Sequence, residues 1–190
     1  MKDTDKMSEG FDIVRVCGST DPLYPGVERI WRDSFPECER RDDASQRAAV
    51  DGEPRFVCNA VVGRPSGRVI GVFSWWMLGT LVYGEHFAMD SSVRGHGLGA
   101  QVFKTVVSEV SALGLPFVFE VERPDPEVPL TVRRVAFYRR LGMHLLDFPY
   151  FQPAYHPGDE PVPMFLMSSD AGTDPCAAAE TIRAAYPAFL

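Results

Sequence analysis

The sequence predicts an α/β fold with a mixed central sheet of about seven strands flanked by helices. Three observations carry that reading. Residues 55–89 read as consecutive strands joined by short turns, with no helix among them. The hexapeptide Arg94-Gly95-His96-Gly97-Leu98-Gly99 follows the apolar run 81–89 and opens a helix. Beyond that helix, strand and helix alternate before two last strands, so parallel and antiparallel neighbours must share one sheet.

Residues 1–10 are polar and charged and are expected to fray. Residues 11–17 form a first strand. Val27, Ile30, Trp31 and Phe35 then recur at helical spacing, and Pro36 ends that helix. The charged segment 37–51 reads as a second, exposed helix. Residues 55–63 and 68–78 are strands joined by Arg64-Pro65-Ser66-Gly67, a hairpin-type connection. Gly79-Thr80 turns the chain into strand 81–89. In the helix that follows, Leu98, Val102, Phe103, Val106, Val110 and Leu113 share one face, and Gly114 is a natural residue for its end. Residues 116–122 make a strand that Arg123-Pro124-Asp125-Pro126 breaks. Residues 131–141 are helical, with Leu130, Arg134, Phe137 and Leu141 on one stripe. Strands 143–150 and 162–167 follow, joined by a proline-rich loop, 151–161. Residues 1–170 read as one domain and 171–190 as a tail with a short helix near 177–185.

The 190-residue, 45% hydrophobic chain can fill a core of ordinary single-domain size. No apolar run reaches membrane-spanning length and the first residues carry no signal-peptide pattern, so a cytoplasmic protein without a membrane partner is expected. A net charge of −7 disfavours nucleic acid as a partner. Cys17, Cys38, Cys58 and Cys176 lack C-x-x-C spacing and read as reduced thiols, and no metal site is expected.

The hexapeptide carries the functional signal. A glycine turn between a strand and a helix N-terminus presents unpaired N–H groups and a favourable dipole to a pyrophosphate, and glycine lets the backbone come close. Two cofactor families use this geometry. Gly95, Gly97 and Ala100 satisfy G-x-G-x-x-G/A, and Glu120 lies near the position of a ribose-binding acid, which would make the chain a nicotinamide-dependent oxidoreductase. That fingerprint normally opens a doubly wound parallel sheet, and the run of strands before it argues otherwise. The alternative signature, Q/R-x-x-G-x-G/A, is met in register by Arg94, Gly97 and Gly99. A later run, Phe137-Tyr138 followed by Leu141-Gly142-Met143, matches a second motif in the right order.

With both motifs, residues 11–169 resemble the GCN5-related N-acetyltransferase (GNAT) superfamily. The resemblance implies the acyl-CoA N-acyltransferase fold, with two central strands parting at the end of strand 81–89. It implies acetyl-CoA as co-substrate and direct transfer to a primary amine in a ternary complex. The pyrophosphate would lie on the backbone of Arg94, Gly95, His96, Gly97, Leu98, Gly99 and Ala100, with pantetheine along Phe87, Ala88 and Met89. Tyr138 would protonate the departing thiolate, although on its helix it could simply pack beside Val135 and Phe137. A backbone N–H near Phe87 or Met89 would hold the oxyanion. Glu85 is one candidate base, placed by strand alternation on the face of Tyr83, Phe87 and Met89, with His86 opposite. Its other reading is a solvated strand carboxylate. Glu120, flanked by apolar residues, is the second candidate or a partner for the substrate ammonium.

Trp75 and Trp76 must face opposite sides of the sheet, and Trp75 and Tyr150 are expected to shape the acceptor pocket. Thr131 and Arg134 stand where the family commonly has asparagine and alanine; both are expected near the cofactor. The acceptor is a small-molecule or peptide amine, and a homodimer is compatible with the family. A non-catalytic acyl-CoA-binding module is the rival function.

Overall fold

The computed structural model describes residues 10–156 and 158–186. The expected fraying of residues 1–9 lies outside them. The chain runs β1 (Phe11–Val16), α1 (Tyr24–Ser34), α2 (Asp43–Gly52), β2 (Phe56–Gly63), β3 (Val69–Met77), β4 (Val82–Met89), α3 (Leu98–Ser111), β5 (Phe117–Glu122), α4 (Pro129–Arg140), β6 (His144–Gln152), β7 (Val162–Ser168) and α5 (Pro175–Ala185). One seven-stranded sheet has the order β1-β2-β3-β4-β5-β7-β6. Among the described residues, only β4 and β5 pair in parallel; the other neighbours are antiparallel.

Local chemistry sets these boundaries. Phe35 and Pro36 end α1 after it has buried Tyr24, Val27, Ile30 and Trp31. Asp42 caps α2 by accepting from the Ser45 amide at 2.7 Å, so the helix starts later than the charge pattern predicts, and a single 3₁₀ turn, Glu37–Glu39, precedes it. Gly97 takes the left-handed conformation at the start of α3 (φ 77°), and Gly114 takes it just past the end (φ 73°). Asp174 caps α5 through the amides of Cys176 and Ala177, at 2.8 and 3.1 Å.

The core lies on both sheet faces. On one side, α1, α2 and α5 cover Phe56, Trp76, Tyr83 and Tyr150; on the other, α3 and α4 cover Phe73, Trp75, Phe103 and Phe117. Trp75 and Trp76 thus face opposite sides, as expected.

Two expectations change here. The segment read as an exposed helix contains Arg41, one of the most buried side chains of the protein. On α4 the buried residues are Thr131 and Val135. The segment read as a tail enters the main core, where Ala178, Ala179, Ile182 and Tyr186 are buried.

Gly84 sits where β4 and β5 pair, and a Cβ there would meet the Phe117 ring at 2.3 Å. The Gly84→Ala substitution is expected to destabilise the protein by about 1–3 kcal/mol through overpacking. Urea unfolding checks this; the midpoint should fall with the slope unchanged.

Candidate active site

The pairing of β4 with β5 lasts for Val82–Phe117, Tyr83–Val118 and Gly84–Phe119 and then stops. From Glu120 onward β5 is held by β7 alone, beginning with Glu120 opposite Leu166. The strands part, and a cavity of about 720 Å³ opens between them. Phe87, Ala88 and Met89 line it from β4, Glu120 and Glu122 from β5, and Arg134 and Tyr138 from α4. Its volume falls within the usual range for small-molecule sites, roughly 300–1,000 Å³.

At one end the cavity meets the glycine turn through Arg94, Gly95 and Gly99. Among the described residues, the backbone N–H groups of Gly95, His96, Gly97, Leu98 and Gly99 have no hydrogen-bond acceptor, whereas the Ala100 N–H closes the first turn on the Gly97 carbonyl at 3.1 Å. Arg94 folds back to donate from Nε to the Met89 carbonyl at 2.9 Å, tying the turn to the strand end. The Asp90 amide donates to Ile70 of β3 at 2.8 Å. Alternation along β4 therefore aims the Phe87 and Met89 amides away from β3, into the opening.

A β-bulge overturns the predicted facing of Glu85. Gly84 pairs with Trp75 and His86 with Ser74, leaving Glu85 as the extra residue. Glu85 and His86 therefore share a face, and Phe87 and Met89 turn to the other. Phe87 packs on Phe103 of α3 at a 5.7 Å centroid distance, while His86 packs on Phe35 of the α1 end at 4.5 Å.

Glu85 is neither solvated nor free. Its side chain is fully buried and paired with the guanidinium of Arg41. The His86 Nδ1 is 3.3 Å away, and the Tyr155 hydroxyl donates to Oε1 at 3.4 Å. Arg41 donates to Gln46 at 2.5 Å and lies over the rings of Phe56 and Trp76. Burial pushes the Glu85 carboxyl upward; attraction to the Arg41 guanidinium, with a smaller contribution from the neighbouring His86, more than offsets this and holds its pKa at about 2. A carboxylate so acidic is a poor base near neutral pH.

Glu120 is the opposite case. It lines the cavity, and its dominant perturbation is burial, which lifts its pKa to about 7. Hydrogen bonds from Tyr150, Tyr83 and Tyr186 pull the other way without cancelling that effect. Gln152 adds an amide donor to Oε2 at 2.7 Å. Among the described residues, no positive side chain forms an ion pair with it.

Tyr138 packs its ring on Phe119 at 4.6 Å and on Phe103 at 5.0 Å. Its hydroxyl takes no hydrogen bond among the described residues, and burial pushes the phenol up to about 12, so it stays protonated. Arg134 lines the cavity while pairing with Glu122. Tyr150 is buried and reaches the cavity only through its bond to Glu120.

Other expected positions lie elsewhere. Trp75 is core, beside Phe73 and away from the cavity. The Thr131 hydroxyl is spent on its own loop, accepting from the Asp125 amide and donating to the Val128 carbonyl, each at 2.8 Å. The Leu98 side chain is core and the exposed His96 side chain does not line the cavity, so what these two residues offer a ligand is their backbone amides. The residues absent from the prediction are Arg41, Tyr83, Gln152 and Tyr186. A capping pair, Asp174-Pro175, heralds the helix that carries Tyr186; nothing local marks Arg41, which sits in a run of charges.

The model of the acetyltransferase (GNAT) family matches residues 22–143. The chain belongs to the GNAT acetyltransferase family. A GNAT-family structure from Bacteroides thetaiotaomicron is 30% identical, with a TM-score of 0.78, over 92% of this chain and 94% of the other. Arabidopsis thaliana NAA60, solved with acetyl-CoA, shares the fold at 17% identity and a TM-score of 0.62, over 84% of this chain and 97% of its own. The ribosomal-protein-S18-alanine N-acetyltransferase of Escherichia coli does so at 18% and 0.58, over 87% and 98%. A sequence search of curated proteins finds no match.

Replacing Glu85 by Gln strands a buried guanidinium and is expected to cost about 3–5 kcal/mol, most of it regained in an Arg41→Met, Glu85→Leu double variant. The folded pKa of about 2 lies below the ordinary 4.5, so this ion pair contributes fully above pH 4.5 and its contribution is lost as pH falls towards 2. Melting curves of the three proteins across that range check both points.

Proposed function

We propose that this protein is an acetyl-CoA-dependent N-acetyltransferase that passes the acetyl group directly to a primary amine, with Glu120 as the base and Tyr138 as the acid. The observation that carries the reading is Glu120: a half-buried carboxylate with a pKa of about 7 that lines the opening between the parted strands. That value suits proton transfer at neutral pH.

The chain's residues fit an acyl-CoA. The free amides from Gly95 to Gly99 supply donors for a pyrophosphate at a helix start. The Phe87 and Met89 amides face the opening, where they can pair with an extended amide chain or with the acyl carbonyl oxygen. Phe73, Phe103 and Phe137 provide an apolar wall. The amine enters from the far side, past Phe35, Glu39, Gln152 and Met164. Glu120 accepts its ammonium proton; the freed nitrogen pair forms the C–N bond as the C–S bond breaks. Tyr138 donates its hydroxyl proton to the sulfur and regains one from the new amide nitrogen. A covalent acetyl-enzyme is disfavoured, because burial pushes the Cys58 thiol up to about 12 and Cys17, Cys38 and Cys176 lie on the surface.

With Glu120 as base, kcat/KM rises as pH increases through about 7 and then levels. The Glu120→Gln variant is expected to lose that limb and roughly 10²–10⁴-fold in rate, and Tyr138→Phe to lose a similar factor in kcat. Steady-state kinetics over pH 5.5–9 with a panel of amines tests this, and unchanged rates in either variant would refute that residue's role. Glu120→Gln should also melt higher than wild type above pH 7. The raised folded pKa means stability drops as pH climbs from 4.5 to about 7, and Gln is spared that penalty.

A further inference from the structure

From the hydroxyl cage around Glu120 we infer that Tyr186, delivered by α5, is a positioning residue that sets the ionisation of this carboxylate, so the C-terminal helix completes the active site. The inference rests on the reading of Glu120 as the base for its catalytic meaning, but its geometry stands apart from it.

Tyr186 follows directly on α5 and is buried. Its hydroxyl donates to Glu120 at 3.3 Å from Oε1 and 3.4 Å from Oε2. It lies well beyond residues 22–143, which the family model matches. The helix is not loosely appended. Asp174 caps it, Ala178, Ala179 and Ile182 anchor it in the core, and the Arg183 guanidinium lies over the Tyr150 ring at 5.4 Å.

The groups facing Glu120 come from several elements. Tyr83 and Glu85 stand on β4, Tyr150 and Gln152 on β6, Tyr155 on the β6–β7 loop, and Tyr186 with Arg183 at α5. Glu85 is an anion and opposes ionisation of Glu120. Arg183 engages Tyr150 rather than the carboxylate. Donors are thus what favour the charged form, and a donor that bonds a carboxylate lowers its pKa. Burial alone would leave Glu120 protonated at neutral pH and unable to accept a proton. Phenols suit the task because they donate without bringing a charge that would fix the proton balance, as Arg41 does for Glu85.

The test follows the Glu120 carboxyl by ¹³C NMR in glutamate-labelled protein, with Glu120→Gln identifying its signal. In Tyr186→Phe the midpoint should rise by about one pH unit, since a hydrogen bond to a charged group is worth ~1.5–3 kcal/mol and one unit is 1.36 kcal/mol. Tyr155→Phe serves as the control. Its ring lies tilted against Tyr186 at 5.8 Å and its hydroxyl engages Glu85 and the Tyr186 hydroxyl, so it loosens the same cluster without removing a direct donor to Glu120. An unmoved midpoint in Tyr186→Phe, or an equal rise in both variants, overturns the inference. The pH–rate limb separates the two claims. If limb and signal move together, Glu120 is the base and α5 tunes it. If the signal moves and the limb stays, α5 still tunes Glu120 and the base assignment falls.

Discussion

The structure depends on the brevity of one pairing. β4 and β5 run side by side for the length of Val82–Gly84 and then separate. Backbone groups freed in a sheet interior are costly to bury unless something pairs with them. The parting is tolerable because it lines a cavity open to solvent and ligand. It also explains why Phe117 and Phe119 lie where they do. Their rings, with those of Phe73, Phe103 and Tyr138, fill the wedge between the strands and α3. Gly84 marks the last point at which the strands touch, and its missing side chain makes room for Phe117.

The same opening separates the behaviour of two carboxylates. Glu85 and Glu120 lie on adjacent strands; the Glu85 side chain is fully enclosed, whereas Glu120 is half-buried at the cavity wall. One meets a guanidinium and becomes a permanent anion that holds the segment before α2 against the sheet. The other meets phenols and an amide, remains near its titration point, and faces the cavity. Environments that push two titratable groups apart in this way mark a division of labour. Glu85 becomes a strut, and in the proposed reaction Glu120 exchanges the proton. The helical tail is bound into this arrangement, since α5 both buries Glu120 and supplies one of its donors.

Much of the architecture was legible because periodicity and punctuation agree. Pro36, Gly114 and the hairpin at Arg64-Pro65-Ser66-Gly67 fall where the chain turns, and residues of both motifs line the opening between the strands. The misreadings share one physical origin, in that they required knowledge of partners distant in sequence. Alternation assigns Glu85 a face only if the strand is regular, and a bulge of one residue inverts that assignment for Phe87 and Met89. Arg41 looks solvated among Arg40, Asp42 and Asp43, yet a carboxylate 44 residues away draws it inside. Thr131 can satisfy a cofactor or its own loop, and only the path of residues 125–128 decides. Tyr186 reaches across 66 residues to Glu120, a contact without local trace.

The proposed acyl-CoA site joins the parted strands to the glycine turn. Thermal unfolding alone, with acetyl-CoA, and with NADH or NADPH tests it most directly. A ligand at 100 times its Kd adds about 2.7 kcal/mol, which for a chain of this length raises Tm by roughly 5–10 °C. Acetyl-CoA is expected to give such a rise and the nicotinamides none. A rise with NADH or NADPH alone would contradict it and return the turn at Gly95, Gly97 and Ala100 to a dinucleotide.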